Sequence, residues 1–351
     1  MTVQQTAPTT APASPAHGPV RRVEDAFAAL HGADAALLVP GAVAATTGTL
    51  LALTNPGGHL IASDQICDPL HGVLTRELTG LGRTVTFVDC TDADAVITAV
   101  RPETQVVYTP SLSDPLMRPA PLNEIAIHAQ MNDLLLVVDN TALSPAELRP
   151  LETGAVVIIE DTAPWLDGWG EVGAALVTGL DRYLPRIAEQ CARLGGEVHG
   201  WAAHLLERSL ATLQLRLSAQ RDGAERVAAA LRAHPAVRAV HRPSFDEAPW
   251  ALETHEGFGG LLSFEVVPEI RDLSGILAAG NGDGDGTPLA GSARLPAHTS
   301  HAHLSERIRR EAGITRQLVR LEVGITGSEA LATRLKRALD TALEQSNGAD
   351  T

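Results

Sequence analysis

Short, almost continuous apolar runs alternate with segments of helical period along the first half of the chain, and this alternation limits the possible folds more than any other feature. Residues 36–39, 59–62, 84–88, 105–109, 134–138, 156–159 and 174–177 read as strands, and segments such as 41–53, 69–79 and 123–131 between them read as helices. Val23, Phe27 and Leu30 recur at helical spacing ahead of Gly32, which can end that first helix. Strands that are apolar along their whole length suit a sheet covered on both faces, and such sheets are mainly parallel. The fold class expected is therefore α/β, a mainly parallel sheet with helices on both faces. Beyond a long helical region over 199–234, strands at 236–240, 260–266 and 318–323 and a helix over 328–343 describe a smaller α+β C-terminal domain. The organisation expected is a disordered Thr-, Ala- and Pro-rich tail over 1–18, a large domain over 19–235 and a C-terminal domain over 236–351.

Composition removes several function classes. A formal charge of −15 leaves no basic surface for nucleic acid or an anionic membrane. The three cysteines, Cys67, Cys90 and Cys191, are odd in number and widely spaced, which fits reduced thiols rather than a disulfide framework. No signal-peptide pattern opens the sequence and no apolar run of about eighteen residues follows, so a soluble, cytoplasmic protein is expected.

The central stretch LLLVVDNTALSPAELRPLETGAVVIIEDTAPWLDGWGEVGAALV, residues 134–177, resembles the core of the pyridoxal-phosphate (PLP) enzymes of cysteine and methionine metabolism, the transsulfuration family of cystathionine synthases and lyases. PGGHLIASD (56–64), VTFVDCTDADAV (85–96), HLLERSLATLQLRLSAQ (204–220), HPAVRAVHRP (234–243), GGLLSFEV (259–266) and GITRQLVRLEVGIT (313–326) extend the likeness in the same order. The resemblance implies a PLP-dependent transferase-like fold, the aspartate aminotransferase fold type I, and a homo-oligomer such as a dimer. It also implies a lysine that forms the Schiff base with the cofactor. Aligned on both flanks, that lysine falls on Pro164, and the chain's single lysine is Lys336.

By the same resemblance, Asp139 occupies the position that protonates the pyridine nitrogen. Gly41 and Ala42 match the pair whose backbone N–H groups hold the phosphate at a helix start. The two hydroxyl residues ahead of the lysine are here Asp161 and Ala163, so a phosphate donor has become an acid. Two unit charges about 4 Å apart at an effective dielectric of about 20 repel by about 4 kcal/mol, an upper bound if the acid protonates or turns away. Cys67 stands where the family stacks a tyrosine on the ring, and Asp114 where an asparagine faces the phenolic oxygen. Arg21 and Arg22 are poor substitutes for the family's phosphate-binding Tyr and Arg of the neighbouring subunit. Arg320 matches the arginine that grips the substrate's α-carboxylate. These changes lead to the expectation that PLP has been lost, with Gly41, Ala42 and Asp139 as vestiges of its site and no cofactor in its place. The function expected is that of a pseudoenzyme, a non-catalytic binding or regulatory protein of amino-acid or specialised metabolism that takes a small carboxylate or amino-acid ligand. One alternative is a cofactor-independent acid/base enzyme using Asp139, Asp161 and Glu160, because crowded carboxylates raise one another's pKa. Another is a cystathionine gamma-synthase- or lyase-like enzyme binding PLP without a covalent bond.

Other motifs carry less. His298, His301 and His303 have no carboxylate or cysteine at metal-site spacing nearby, so loop structure and no metal is the expectation. NGDGDGT (281–287) resembles the start of a calcium loop but lacks the closing acid, Ser292 standing at the twelfth position. Trp165 is expected to pack, and Trp169 to fill the volume a cofactor would leave.

Overall fold

A computed structural model of the chain describes residues 18–243, 258–281, 289–325 and 327–349. The tail expected over 1–18 lies outside these residues except for Gly18, and the NGDGDGT run lies outside them except for Asn281. Among the described residues no helix is long and apolar enough to cross a membrane.

Seven strands form the first sheet: β1 (Ala35–Val39), β2 (His59–Ser63), β3 (Thr84–Val88), β4 (Thr104–Pro110), β5 (Leu135–Asp139), β6 (Val157–Asp161) and β7 (Ala175–Gly179). Their order is β1-β7-β6-β5-β4-β2-β3, and only β7 runs against its neighbours. The mainly parallel α/β architecture expected from the sequence is the one observed.

Period-two alternation explains why these strands are apolar throughout. Ile61, Val107, Leu136 and Val138 point into one core, while Leu60, Val106, Tyr108 and Val137 point into the other. Leu122–Met131 covers the first core with Leu122, Ile125, Ala126 and Ala129, spaced to share one helix face. Ala42–Leu53 and Leu184–Arg193 cover the second. These two helices approach closely at Gly48, where an added Cβ would lie 2.4 Å from Cys191 Sγ. Trp165 is buried in a further cluster and stacks on Phe27 with ring centroids 5.9 Å apart.

A second sheet holds β8 (Val237–His241), β9 (Leu261–Val266), β10 (Ser292–Arg294) and β11 (Leu318–Glu322) in the antiparallel order β10-β11-β9-β8. Leu213–Arg232 and Ser328–Ala349 close over it, burying Val227, Leu231, Leu331, Leu335 and Leu339 against Phe264, Val319 and Leu321. At about 1.5–3 kcal/mol for each fully buried large aliphatic side chain, this layer is a substantial core in its own right. The helical region expected over 199–234 is two helices, Gly200–Leu210 and Leu213–Arg232, broken at Ala211 and Thr212. The segment expected as one helix over 69–79 opens into a wider π-type turn over Val73–Leu78.

Candidate ligand cleft

Parallel strands end together, so the carboxyl ends of β2, β4, β5 and β6 form one rim, where ligands of open α/β sheets bind. Asp139 ends β5. One of its oxygens accepts from the Tyr108 hydroxyl at 2.9 Å and the other from the Thr141 backbone N–H at 3.0 Å. Loss of solvent raises its pKa, the hydrogen bonds from Thr141 and Tyr108 oppose the rise, and Asp114 adds to it. Asp161 ends β6, next to β5. Its N–H donates to Thr141 Oγ1 at 3.0 Å, and its carboxylate turns back to accept from the Ala163 N–H at 2.9 Å, an Asx turn. Burial raises this pKa as well, against the Ala163 hydrogen bond, and Asp139 pushes it further up. Thr141 thus ties the two strand ends together.

The turn that follows, Ala163–Asp167, carries Pro164. Arg216 holds it from behind, donating to the carbonyls of Trp165 and Leu166 at 2.5 and 2.9 Å, and Trp165 Nε1 donates to the Thr141 carbonyl at 3.1 Å. The position where the resemblance implies an amine is therefore a fixed turn bearing a ring without one. Lys336 is exposed on the last helix.

On the opposite side of the cleft, Arg320 of β11 donates through Nε to both oxygens of Asp114, each at 3.0 Å. Burial works against the charge on Arg320, but Asp114 and Glu322 outweigh it and the net shift is upward. Cys67 shares this environment. Its thiol is pushed up to about 11 by the protein around it and by the Asp114 and Asp139 carboxylates. Gly41, at a φ of 85° that favours glycine, starts Ala42–Leu53 with open space where a Cβ would stand. The first-turn N–H groups of that helix have no intrahelical acceptor and offer an anion site.

Several expected residues sit elsewhere. Glu160 is not beside Asp161, because strand alternation turns it to the other face. There its carboxylate is 1% exposed, 2.7 Å from His31 Nε2 and 2.8 Å from the donating Asn140 side-chain nitrogen. Asp114 is not a loose anion facing a ring oxygen but the partner of Arg320. Arg22 is engaged within the chain, donating to Glu207 at 2.6 and 2.8 Å. Trp169 is 57% exposed and fills no cavity. Sequence reasoning missed Tyr108, which reads as an ordinary strand aromatic until its hydroxyl is seen to reach Asp139.

Comparison with known proteins agrees with this geometry. The family model described as "Cys/Met metabolism PLP-dependent enzyme" matches residues 16–340. The chain is 30% identical over 318 residues to a cystathionine gamma-lyase of Bacillus subtilis, covering 89% of this chain and 83% of the relative. It is 28% identical over 329 residues to an L-methionine gamma-lyase of Treponema denticola, covering 91% of this chain and 82% of the relative. The structure of a cystathionine gamma-lyase from Lactobacillus plantarum complexed with L-serine superposes with a TM-score of 0.86 at 26% identity, covering 97% of this chain and 93% of the other. These matches correct the expectation that the chain has no cofactor. The matched family is PLP-dependent and points to PLP as the group this cleft serves.

Proposed function

This chain belongs to the family of Cys/Met-metabolism PLP-dependent enzymes, and on that premise we propose that it is a non-catalytic member, a binding protein that holds its ligand without a covalent anchor. The observation that carries this reading is Pro164, fixed in a braced turn at the rim where the family's chemistry requires an amine, while Lys336 lies exposed on the last helix. Without that lysine the chain has no side chain there to form a Schiff base or to carry a proton to and from a substrate's α-carbon.

The remaining residues fit the cofactor as a reversibly bound group. Asp139, braced by Tyr108 and Thr141, would face the pyridine nitrogen, and the helix start at Gly41 and Ala42 would take the phosphate. When bound, PLP supplies an electron sink for carbanions at an amino acid's α-carbon. Arg320 would orient a ligand carboxylate, but Asp114 already holds its Nε, so the ligand must share or displace that carboxylate. Asp161 keeps its carboxylate on the Ala163 N–H, and burial raises its pKa, which lessens its repulsion of a phosphate. The ligand class is thus PLP together with a small amino or keto acid, and the role is regulatory or carrier-like within amino-acid or specialised metabolism.

A second reading is favoured by the paired carboxyls alone. Asp139 and Asp161 both have raised pKa values, a condition for general acid/base work without a cofactor.

Equilibrium dialysis of the purified chain with PLP, followed by assays for elimination from cystathionine and methionine, tests the main reading. The expected result is reversible retention of PLP with no elimination above the buffer rate. Turnover that depends on PLP would overturn it. Cofactor-independent turnover of a keto or amino acid, abolished by Asp161→Asn, would transfer the case to the second reading.

A further inference from the structure

The segment after β2 and the segment after β10 bring three metal-ligating side chains together beside the cleft, outside the site described above. Asp68 and His71 stand three residues apart on the first segment and His303 comes from the second. One ligand atom from each lies within 4.8 Å of the other two. Both ring nitrogens of His303 are buried, and among the described residues neither has a hydrogen-bond partner. Buried ring nitrogens without partners on a half-buried side chain are costly unless something occupies the space they face. The His71 and His303 rings lie 4.5 Å apart at 37°, and His71 also stacks on Phe87 at 5.0 Å.

The backbone around the cluster is fixed. Asp68 N–H donates to the Ser300 carbonyl at 3.1 Å and His71 N–H to the Cys67 carbonyl at 3.0 Å. His301, buried between the two segments, lies 3.3 Å from the Gln65 carbonyl through Nε2, which must therefore be the donor. Ligand atoms around one tetrahedral ion with bonds of about 2.0–2.1 Å stand roughly 3.3 Å apart, so modest side-chain rotation closes the observed spread. Two imidazoles and a carboxylate select a borderline first-row divalent ion such as zinc, cobalt or nickel over magnesium or calcium. Three protein ligands also leave a coordination position open for water or a ligand.

We propose that Asp68, His71 and His303 form a binding site for one zinc-class divalent cation that clamps the segment after β2 to the segment after β10. Cys67, next to Asp68, faces the Asp114–Arg320 pair, so the occupied clamp would fix the mouth of the ligand cleft.

Titration of the full chain with Co2+ and Zn2+, by calorimetry and by the visible absorption of the cobalt form, tests the site. Saturable uptake of a single ion per chain is expected, with a melting temperature that Zn2+ raises and a chelator restores. His71→Ala and His303→Ala should each weaken binding by more than about a hundredfold, beyond the roughly 10–100-fold that loss of a supporting residue costs. Asp68→Asn, at an exposed position, carries the same test if a histidine variant fails to fold. The proposal is overturned if the wild-type chain shows no saturable uptake of either ion, or if the variants that fold bind as tightly as wild type.

Discussion

The ends of β5 and β6 lie side by side, each finishing in an aspartate, yet they have been treated differently. Asp139 on β5 sits in a braced setting, its two oxygens used by Tyr108 and Thr141, and the sequence there matches its family. Asp161 on β6 has its N–H on Thr141 and its carboxylate in the Asx turn to Ala163, and the residues after it, Thr162, Ala163 and Pro164, carry no side-chain amine. A strand end locked from below by a buried tyrosine is hard to change without disturbing the core. A turn that only lines the cleft can change without disturbing the core. The fold is therefore kept in full while the altered residues gather on one turn and the groups facing it.

The largest effect expected comes from the inward face of β6. Glu160→Ala would leave the His31 ring nitrogen and the Asn140 amide facing a buried hole without their acceptor, at about 1–3 kcal/mol for each unsatisfied group. Chemical denaturation should show that loss, whereas Asp161→Ala, one residue on, should show no comparable loss. Equal losses would mean that the two faces of β6 are not distinct. Thr141→Ala removes the hydroxyl that accepts the Asp161 N–H while leaving the backbone bond to Asp139, for a loss of about 1 kcal/mol. The Asp139 carboxyl should also shift to a higher pKa, because the Thr141 side chain is among the groups that hold it down. Asp114→Asn releases the Arg320 guanidinium toward a ligand carboxylate. Because Asp114 is 38% exposed, solvent screens the pair and the gain should be about 1 kcal/mol, read as a several-fold tighter Kd for small keto acids.

The smallest effect is a slope with pH. The folded-state pKa of Asp161 and Asp139 lies above the unfolded value, so the folded chain binds more protons. Their stabilising contribution is complete below the unfolded carboxyl pKa and is lost as pH rises through the folded one. Melting temperature should fall across that window in wild type, and Asp161→Asn should flatten the fall and raise stability at neutral pH. A steeper fall in the variant would contradict the burial argument.

The sheet was legible because its strands are almost continuously apolar, and the same pattern placed Asp139 at the end of β5 and Gly41 and Ala42 at the start of a helix. β10, three residues long, carries no pattern of its own and exists only by pairing with β11. Tyr108 looked like a core residue because its partner lies two elements further on. Glu160 was grouped with Asp161 by adjacency, although the period of a strand already places neighbours on opposite faces. Asp114 and Arg320 each matched a family position, but nothing local in the sequence announces that they meet. The same holds for Asp68, His71 and His303, whose spacing in the sequence resembles no metal motif.

Borohydride reduction of the wild-type chain after incubation with PLP, followed by peptide mass mapping, tests the central claim most directly. With Pro164 in the braced turn and Lys336 exposed on the last helix, no reduced pyridoxyl adduct should map to any residue of the cleft, however much PLP the chain retains before dialysis. A stoichiometric adduct on a cleft residue would show that the chain has found another covalent anchor, and the reading of it as a non-catalytic binding protein would fall.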